Sequence, residues 1–182
     1  GDPYQITVLG NLVWMGANVG SSSGKYYTVQ NDIDASALVV WNSGAGFSPI
    51  GTGGTPFRGT LDGAGHVISH LIINRPVQDN VGLFGTVGGS GVVKDLGLAG
   101  GAVTGNEITG SLVAMNDGMV NGCHASSTVT GTGPGTDQTG GLVGWNNGTM
   151  SNCYATGAVT GTNYVGGLLG WNAGTVSGCH AT

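Results

Sequence analysis

Charged residues are scarce in this sequence, and cationic residues are the scarcest. Asp, Glu, Lys and Arg make up 7% of the 182 residues, and the four cationic residues all lie before residue 95. Proteins that bind nucleic acids or anionic membranes place clusters of Lys and Arg at the contact. We therefore expect neither nucleic acid nor an anionic membrane surface as a partner.

Three further features are missing or rare. No segment approaches the ~18 consecutive apolar residues of a membrane-spanning helix, so we expect no membrane insertion. The three cysteines form no Cys-x-x-Cys pair, and the His-Glu-x-x-His signature of zinc proteases does not occur, so we expect no metal and no other cofactor. Proline is rare, at 5 residues against 39 glycines, which excludes collagen and proline-rich linkers.

The last third of the chain repeats one pattern nearly three times. The copies are TGSLVAMNDGMVNGCHASSTVTG from residue 109, TGGLVGWNNGTMSNCYATGAVTG from residue 139 and VGGLLGWNAGTVSGCHAT from residue 165. The starts at residues 109, 139 and 165 give a repeat period of the length that is typical of solenoids. In a solenoid, stacking buries the apolar face that one unit cannot bury alone. The matching positions are Leu112, Leu142 and Leu168; Asn116, Asn146 and Asn172; Gly118, Gly148 and Gly174; and Cys123, Cys153 and Cys179.

Each repeat is rich in Gly, Thr, Val and Asn and has no run of strong helix formers. Short apolar stretches such as LVGW, CYA and AVT lie between corners that carry Gly or Asn, which is typical of short strands joined by tight turns. Such a unit fits one coil of a parallel β-solenoid, with ~4.8 Å between coils. We predict an all-β fold, a right-handed parallel β-helix of roughly six coils, its hand following the general chirality of parallel crossovers.

One solenoid domain is expected over residues 1–182. An apolar patch at residues 12–15 suits a short helix or bend that covers the open end of the sheets. The expected division is an N-terminal cap at 1–25, divergent coils at 26–108 and regular repeats at 109–182.

The fixed columns predict how the coils fit together. An Asn, one further residue and a Gly suit a corner in which the Gly adopts positive φ, and stacked Asn side chains can bond along the axis. Each Cys alternates with outward neighbours and should face inward as a small hydrophobe. Neighbouring coils bring the cysteines within disulfide range, but parallel stacking aligns their Cβ vectors side by side. A ladder of free thiols is therefore favoured, and one disulfide remains the alternative.

GGLVGWNNGTMSNCYATGAVTG and its neighbouring copies resemble the GLUG repeats of large bacterial surface proteins. Such repeats occur in filamentous-haemagglutinin-like adhesins and near the N-terminus of immunoglobulin-A-cleaving metalloproteases. The upstream pattern DPYQI, NDIDAS, GTLDGAGHVISHLII and VGLFG is similar to the segment that precedes them. The resemblance covers nearly the whole chain and implies a parallel β-helix that acts as a stalk or binding module. No protease activity follows from it, because the zinc-binding signature is absent.

Outward aromatic residues form the candidate ligand or partner surface. Trp145 and Trp171 share a column, and two exposed indoles could form a platform for a sugar ring or an apolar partner; the alternative is that they pack over a neighbouring loop. His124, Tyr154 and His180 share another column directly after the inward cysteines. The tyrosine between the two histidines argues against a shared metal ion.

Other polar residues carry weaker signals. His66 and His70 lie four apart on a predicted strand, hence on one face but far from each other. Asp32, Asp34 and Asp62 could belong to a carboxylate site for polysaccharide cleavage, but their DID and DGAG contexts are explained more simply by strand edges and turns.

The expected function is that of a non-enzymatic extracellular module, secreted or at the cell surface, that serves adhesion or acts as a structural stalk. A cell-surface glycan or a protein is the expected ligand. The last repeat stops without a covering segment. A chain that continues with further coils in a longer protein is favoured, and end-to-end contact between copies through the open edge, which produces filaments, is the alternative. A carbohydrate-active β-helix enzyme is one alternative. An ice-binding solenoid is another, because Thr-Gly-Thr at 130–132 and 160–162 stacks.

Overall fold

The computed structural model describes residues 3–135 and 137–182, and most of its regular structure is short β-strand. Strands are short because glycines and polar corners interrupt every apolar stretch. In chain order they are β1 (Tyr4–Ile6), β2 (Tyr26–Val29), β3 (Ile33–Asp34), β4 (Thr60–Asp62), β5 (Val67–Ser69), β6 (Ile72–Asn74), β7 (Phe84–Val87), β8 (Val92–Lys94), β9 (Gly97–Ala99), β10 (Ala102–Gly105), β11 (Ile108–Gly110), β12 (Val113–Asn116), β13 (Met119–Asn121), β14 (His124–Ala125), β15 (Thr128–Gly131), β16 (Gln138–Gly140), β17 (Val143–Asn146), β18 (Thr149–Ser151), β19 (Tyr154–Ala155), β20 (Val159–Thr160), β21 (Tyr164–Gly166), β22 (Leu169–Asn172), β23 (Thr175–Ser177) and β24 (His180–Ala181).

The strands stack into five sheets that run along a solenoid axis. The sheets follow the orders β1-β2-β4-β8-β13-β18-β23, β3-β5-β9-β14-β19-β24, β6-β10-β15-β20, β7-β12-β17-β22 and β11-β16-β21. The pairs within them are parallel. The chain makes five turns between β2 and β23, and β1 adds one more layer. The predicted all-β parallel solenoid is confirmed, and its right-handedness stays a prediction.

A single α-helix, α1 (Leu9–Ala17), lies at the N-terminal end among the described residues. Its start is fixed by Asn11, whose Oδ1 accepts hydrogen bonds from the backbone N–H groups of Thr7 (3.0 Å) and Val8 (3.1 Å). Leu12 and Met15 are buried in the solenoid core. The apolar patch of the sequence is therefore helical, as predicted. A 3₁₀ turn at Val19–Ser21 and a nine-residue 3₁₀ segment at Ser36–Gly44, interrupted by non-helical backbone from Trp41 to Ser43, complete the helical structure described. No helix in the described ranges has the length and apolar character needed to cross a membrane.

The core changes character along the axis. Near the N-terminal end it is aromatic, with ring centroids 6.0 Å apart for Tyr27 and Phe57 and 5.0 Å apart for Phe57 and Phe84. In the regular repeats the core consists of Leu, Val, Ala and Cys, together with Met150. Large aromatic rings fill the less regular coils, and small residues suffice where the coils repeat with constant spacing.

The glycine that recurs in each regular repeat is required for a different reason from the one expected. Gly118, Gly148 and Gly174 do not have positive φ. Instead, a Cβ on Gly148 would collide with the carbonyl oxygen of Gly118, and one on Gly174 with that of Gly148. Close approach of the coils, not the left-handed backbone, excludes a side chain in this column.

Positive φ occurs elsewhere in each coil, one residue before the inward cysteine. Gly122 has φ 63°, Asn152 has φ 52° and Gly178 has φ 62°. Asp95 occupies the same place in the preceding coil, with φ 52°. Gly and Asn are the residues that adopt this conformation most readily, so the corner before the Cys column explains their recurrence there.

The divergent coil before the regular repeats keeps the same register. Phe84 pairs with Val113, and Gly97 pairs with His124, so Leu96 stands directly in the Cys123 column. The two extra residues of this coil lie in the turn between β7 and β8, which spans four residues where the next coil has two.

Candidate functional site

The tryptophan column lies on the outer side of the β7-β12-β17-β22 sheet. Met115, Trp145 and Trp171 are paired in register, while Asn146, which directly follows Trp145 on its strand, is buried. Parity along the strand therefore points both indoles outward, as the sequence indicated.

The two indoles do not form one open platform. Trp145 is half-buried, and its Nε1–H donates to Oδ1 of Asn147 at 2.7 Å. Trp171 is 41% exposed and meets Tyr164 edge to face, with ring centroids 5.0 Å apart at 81°. We call Tyr164 and Trp171 the aromatic patch. Tyr164 was not among the sequence candidates, because it directly follows the segment before β16 and β21 whose length differs between repeats, which we call the variable loop.

A second aromatic column lies on the six-stranded sheet. The rings of His124 and Tyr154 stack at 4.9 Å and 7°, and those of Tyr154 and His180 at 5.5 Å and 13°. Gly97 makes room for this stack, since a Cβ there would lie 2.6 Å from Nε2 of His124. Tyr154 and His180 are exposed and His124 is half-buried, so the column presents ring edges to solvent.

The three cysteines are free thiols in one column. The backbone N–H of Cys123 points at Sγ of Cys153 (3.4 Å), and that of Cys153 at Sγ of Cys179 (3.3 Å). Cys123 and Cys153 are fully buried, and Cys179 is half-exposed on the last coil. The contact with the Cys153 thiol, together with burial, raises the pKa of Cys123. The column is thus an inward-facing thiol ladder.

The asparagine column forms a hydrogen-bonded ladder along the axis. Nδ2 of Asn116 donates to Oδ1 of Asn146 at 2.7 Å, and Nδ2 of Asn146 donates to Oδ1 of Asn172 at 2.8 Å. Asn116 and Asn146 have no exposed surface, whereas Asn172 is exposed. Each buried amide therefore finds its partner in the next coil.

The structure pairs polar residues that the sequence left apart. His66 and His70 flank the short strand β5. The expectation that both lie on one strand is therefore wrong. Nδ1 of His66 lies 3.2 Å from Oδ1 of Asp32, and Nδ1 of His70 lies 3.0 Å from Oδ1 of Asp34. These pairs join neighbouring coils. The hydrogen bond from the N–H of Val67 is the main cause that lowers the pKa of Asp32, and the contact with His66 lowers it further.

Asp62 is held between two donors from neighbouring coils. Its Oδ2 accepts from Tyr26 Oη at 2.6 Å and from Lys94 Nζ at 2.5 Å, and its Oδ1 accepts from the N–H of Ala64 at 2.8 Å. Burial opposes ionisation, but the bonds from Lys94, Tyr26 and Ala64 together lower the pKa of Asp62. The carboxylate is fully engaged as an anion, which suits an ion pair between coils better than proton transfer.

One buried carboxylate was missed by the sequence analysis. Asp137 is fully buried, its Oδ1 accepts from the hydroxyl of Thr139, and its Oδ2 accepts from the N–H of Thr162 at 2.8 Å. It holds the base of the variable loop. Its position in that loop, outside the repeated columns, gave no signal.

The threonines do not form a free hydroxyl surface. Thr104, Thr130 and Thr160 stack in register. The second member of each rank is engaged, since Oγ1 of Thr132 donates to the carbonyl of Gly105 and Oγ1 of Thr162 to that of Gly133, at 2.9 and 2.6 Å. Within the described ranges, no three His, Cys, Asp or Glu side chains gather as metal ligands would.

Comparison with known sequences places these features in context. Residues 135–160 match the family described as the GLUG motif. The chain is 37% identical over 132 residues to halomucin of Haloquadratum walsbyi, which covers 71% of this chain and 1% of halomucin. It is 33% identical over 125 residues to a protein of Evansella cellulosilytica provisionally named a Gly-rich membrane protein, covering 66% of this chain and 14% of that protein. The chain therefore spans only a small part of the length of either relative.

A solved structure shares the fold. The crystal structure of a protein from Bacteroides ovatus, provisionally named an immunoglobulin A1 protease, superposes with a TM-score of 0.68 over 99% of this chain and 75% of that one. The identity is 18%, so this likeness concerns the fold alone. Together with the motif match, it confirms the resemblance to a GLUG-repeat region that the sequence indicated.

Proposed function

Since this chain is a β-solenoid that carries GLUG repeats, we propose that it is a non-enzymatic structural module of a cell-surface or secreted protein, and that it holds a partner through its aromatic patch. The observation that carries the structural part is the direction of the side-chain bonds in the regular repeats. The Asn ladder, the contacts between cysteines and the bond from Ser111 Oγ to the Gly141 carbonyl all join one coil to the next.

Such bonds act along the solenoid axis. They supplement the backbone ladders, which also run from coil to coil, so the regular repeats form a continuous rod rather than a set of separate units. A rod of this kind suits a spacer that holds another part of the protein away from a surface. The name of the Evansella relative, a membrane protein, supports a role at the cell boundary.

The adhesive part of the proposal rests on Tyr164 and Trp171. Tyr164 is 46% exposed and Trp171 41% exposed, and their edge-to-face contact holds both rings in place. Rigid, exposed aromatic rings with a polar edge are effective in binding sugars and proteins, because little side-chain entropy is lost. No charged residue occurs after Asp137, so the partner surface should be uncharged as well.

Glycan arrays and binding to whole cells test the adhesive part. The Tyr164→Ala/Trp171→Ala double variant should lose binding, while Met119→Ala, which removes an exposed side chain from another sheet, should retain it. Tyr154→Ala tests whether the histidine–tyrosine column contributes. Binding that survives the double variant would leave only the structural role. Release of reducing ends from a polysaccharide panel, lost in Asp62→Asn, would instead favour an enzyme.

End-to-end contact between copies is part of the same proposal. Val176 is 37% exposed, although Met150 and Val120 in its column are fully buried. A second copy that stacks on this coil would bury Val176 and pair the open edge of β23. Light scattering over a range of concentrations should show assembly, and Val176→Lys should abolish it. A monomer at every concentration contradicts end-to-end contact and leaves the adhesive proposal unaffected.

A further inference from the structure

A groove crosses the N-terminal end of the solenoid, far in sequence from the regular repeats. One cavity of about 350 Å³ lies between α1 and the chain that follows the second 3₁₀ segment, and its lining includes Val13, Trp41 and Ser48. An adjoining, more open cavity of about 550 Å³ is lined by Gly10, Asp32 and Trp41, among others. Trp41 lines both cavities, and we call the two cavities together the groove.

Strained backbone forms the rim of this groove. Asn42 has φ 51° and ψ 43°, Ser43 has φ 57° and ψ 37°, and Gly44 has φ 87°. Two consecutive non-glycine residues rarely adopt the left-handed conformation, and their surroundings must hold them there. Here Nδ2 of Asn42 donates to the carbonyl of Gly46 at 2.6 Å, and the N–H of Gly46 donates to the carbonyl of Trp41 at 3.1 Å. Strain of this kind is concentrated at functional sites.

The polar groups of the rim have unused hydrogen-bonding capacity. Among the residues that the structure describes, Asn42 Oδ1 receives no hydrogen bond, since only its Nδ2 is engaged. Ser48 Oγ accepts from Arg75 Nη2 at 2.9 Å, so its own hydrogen is available to donate. Asp32, which lines the second cavity, engages only Oδ1, with His66 and the N–H of Val67.

We propose that this groove binds a neutral oligosaccharide, with one pyranose ring on Trp41. A sugar ring has an apolar face that packs on an indole and hydroxyl groups that satisfy both the acceptor of Asn42 and the donor of Ser48. A purely apolar side chain would leave these two groups desolvated without partners. The cavities have the volume of typical small-molecule sites, about 300–1,000 Å³.

Charge selects the class of sugar. No Lys or Arg lines either cavity, and the second cavity contains the carboxylates of Asp32 and Asp34. At the second cavity an acidic glycan would place its carboxylate or sulfate near these anions. The one cation beside the first cavity, Arg75, already donates to Ser48, Gln78 and the carbonyl of Phe47, so binding of an acidic chain is disfavoured. The groove therefore takes neutral chains. The seven-residue step from Gly10 to Ala17 along α1 spans ~10 Å, enough for about two sugar units.

The inference does not depend on the proposed function, because the groove and the aromatic patch share no residue. Isothermal titration of the 182-residue chain with neutral tetrasaccharides derived from cellulose, amylose, chitin and mannan is the test, with oligogalacturonate as the acidic comparison. At least one neutral tetrasaccharide should bind, and the acidic one should not. Trp41→Ala should weaken the binding by about tenfold or more.

Two further variants in the groove and one control outside it separate binding from folding. Asn42→Gly relieves the left-handed strain but removes the acceptor and the bond from Nδ2 to the Gly46 carbonyl. Because the effects of strain relief and of the lost bond on stability oppose each other, its melting temperature should change little while the affinity falls. Ser48→Ala should weaken binding as well, and Trp171→Ala should leave the affinity unchanged. The proposal is overturned if no neutral tetrasaccharide binds, if oligogalacturonate binds equally well, or if Asn42→Gly and Trp41→Ala bind like the wild type.

Discussion

The asparagine ladder provides the sharpest test of how the coils are held together. Asn146 is fully buried; it accepts from Asn116 and donates to Asn172. Asn146→Ala would leave Nδ2 of Asn116 with a single long contact, 3.4 Å to the carbonyl of Thr149. A buried amide left without a good partner costs about 1–3 kcal/mol, and the lost bond to Asn172 adds about 0.5–1.5 kcal/mol. We expect Asn146→Ala to lower the free energy of unfolding by about 2–4 kcal/mol.

Asn172→Ala is the matched control within the same column. Asn172 is exposed on the last coil, so water can replace the bond that it accepts from Asn146. We expect a loss of about 1 kcal/mol or less. Urea unfolding followed by circular dichroism measures both values, provided that the slopes of the transitions agree with the wild type. Equal losses for the two variants, or a smaller loss for Asn146→Ala, would refute the account of the ladder.

Three other predictions follow from the same geometry. Thiol reagents should label Cys179 in the native protein and Cys153 only after unfolding, because Cys153 is buried; rapid native labelling of Cys153 contradicts the inward column. Asp62 has a lowered pKa, so its stabilising contribution is complete above the usual carboxyl pKa and is lost as pH falls through the folded-state value. The difference in melting temperature between wild type and Asp62→Asn should therefore shrink as the pH falls below the usual carboxyl pKa, and a constant difference argues against the ion pair. Gly148→Ala should destabilise by at least about 2 kcal/mol, since its Cβ meets a carbonyl of the coil before it, whereas Gly53→Ala, which meets nothing, should be near neutral in thermal melts.

The repeated columns were predictable because parallel stacking in register turns a sequence period into a spatial neighbour. Once Asn116, Asn146 and Asn172 are aligned in sequence, the solenoid places them one above another, and their ladder follows. The inward cysteines were predictable from the same period, although each lies in the corner between two strands and not on a strand. In these cases one short pattern determines both the local strand and the long-range contact.

The structural features that could not be predicted involve residues that lie outside the repeated columns. The pairs between Asp32 and His66 and between Asp34 and His70 join divergent coils that share no repeated residue, so nothing in the sequence aligned them. The strained turn at Asn42 depends on Gly46, which a Cβ would drive into the backbone of Ile72. The role of the repeated glycines also depends on distances between coils, which a single sequence does not contain.

The central claim is that the regular repeats form a rod in which side-chain bonds along the axis join the coils. Single-molecule force spectroscopy, with the chain pulled between its two ends, tests it most directly. The account predicts that Asn146→Ala lowers the unfolding force of the rod, because it removes two bonds parallel to the axis, while Trp171→Ala leaves that force unchanged. An unfolding force that is the same for Asn146→Ala and the wild type would contradict it.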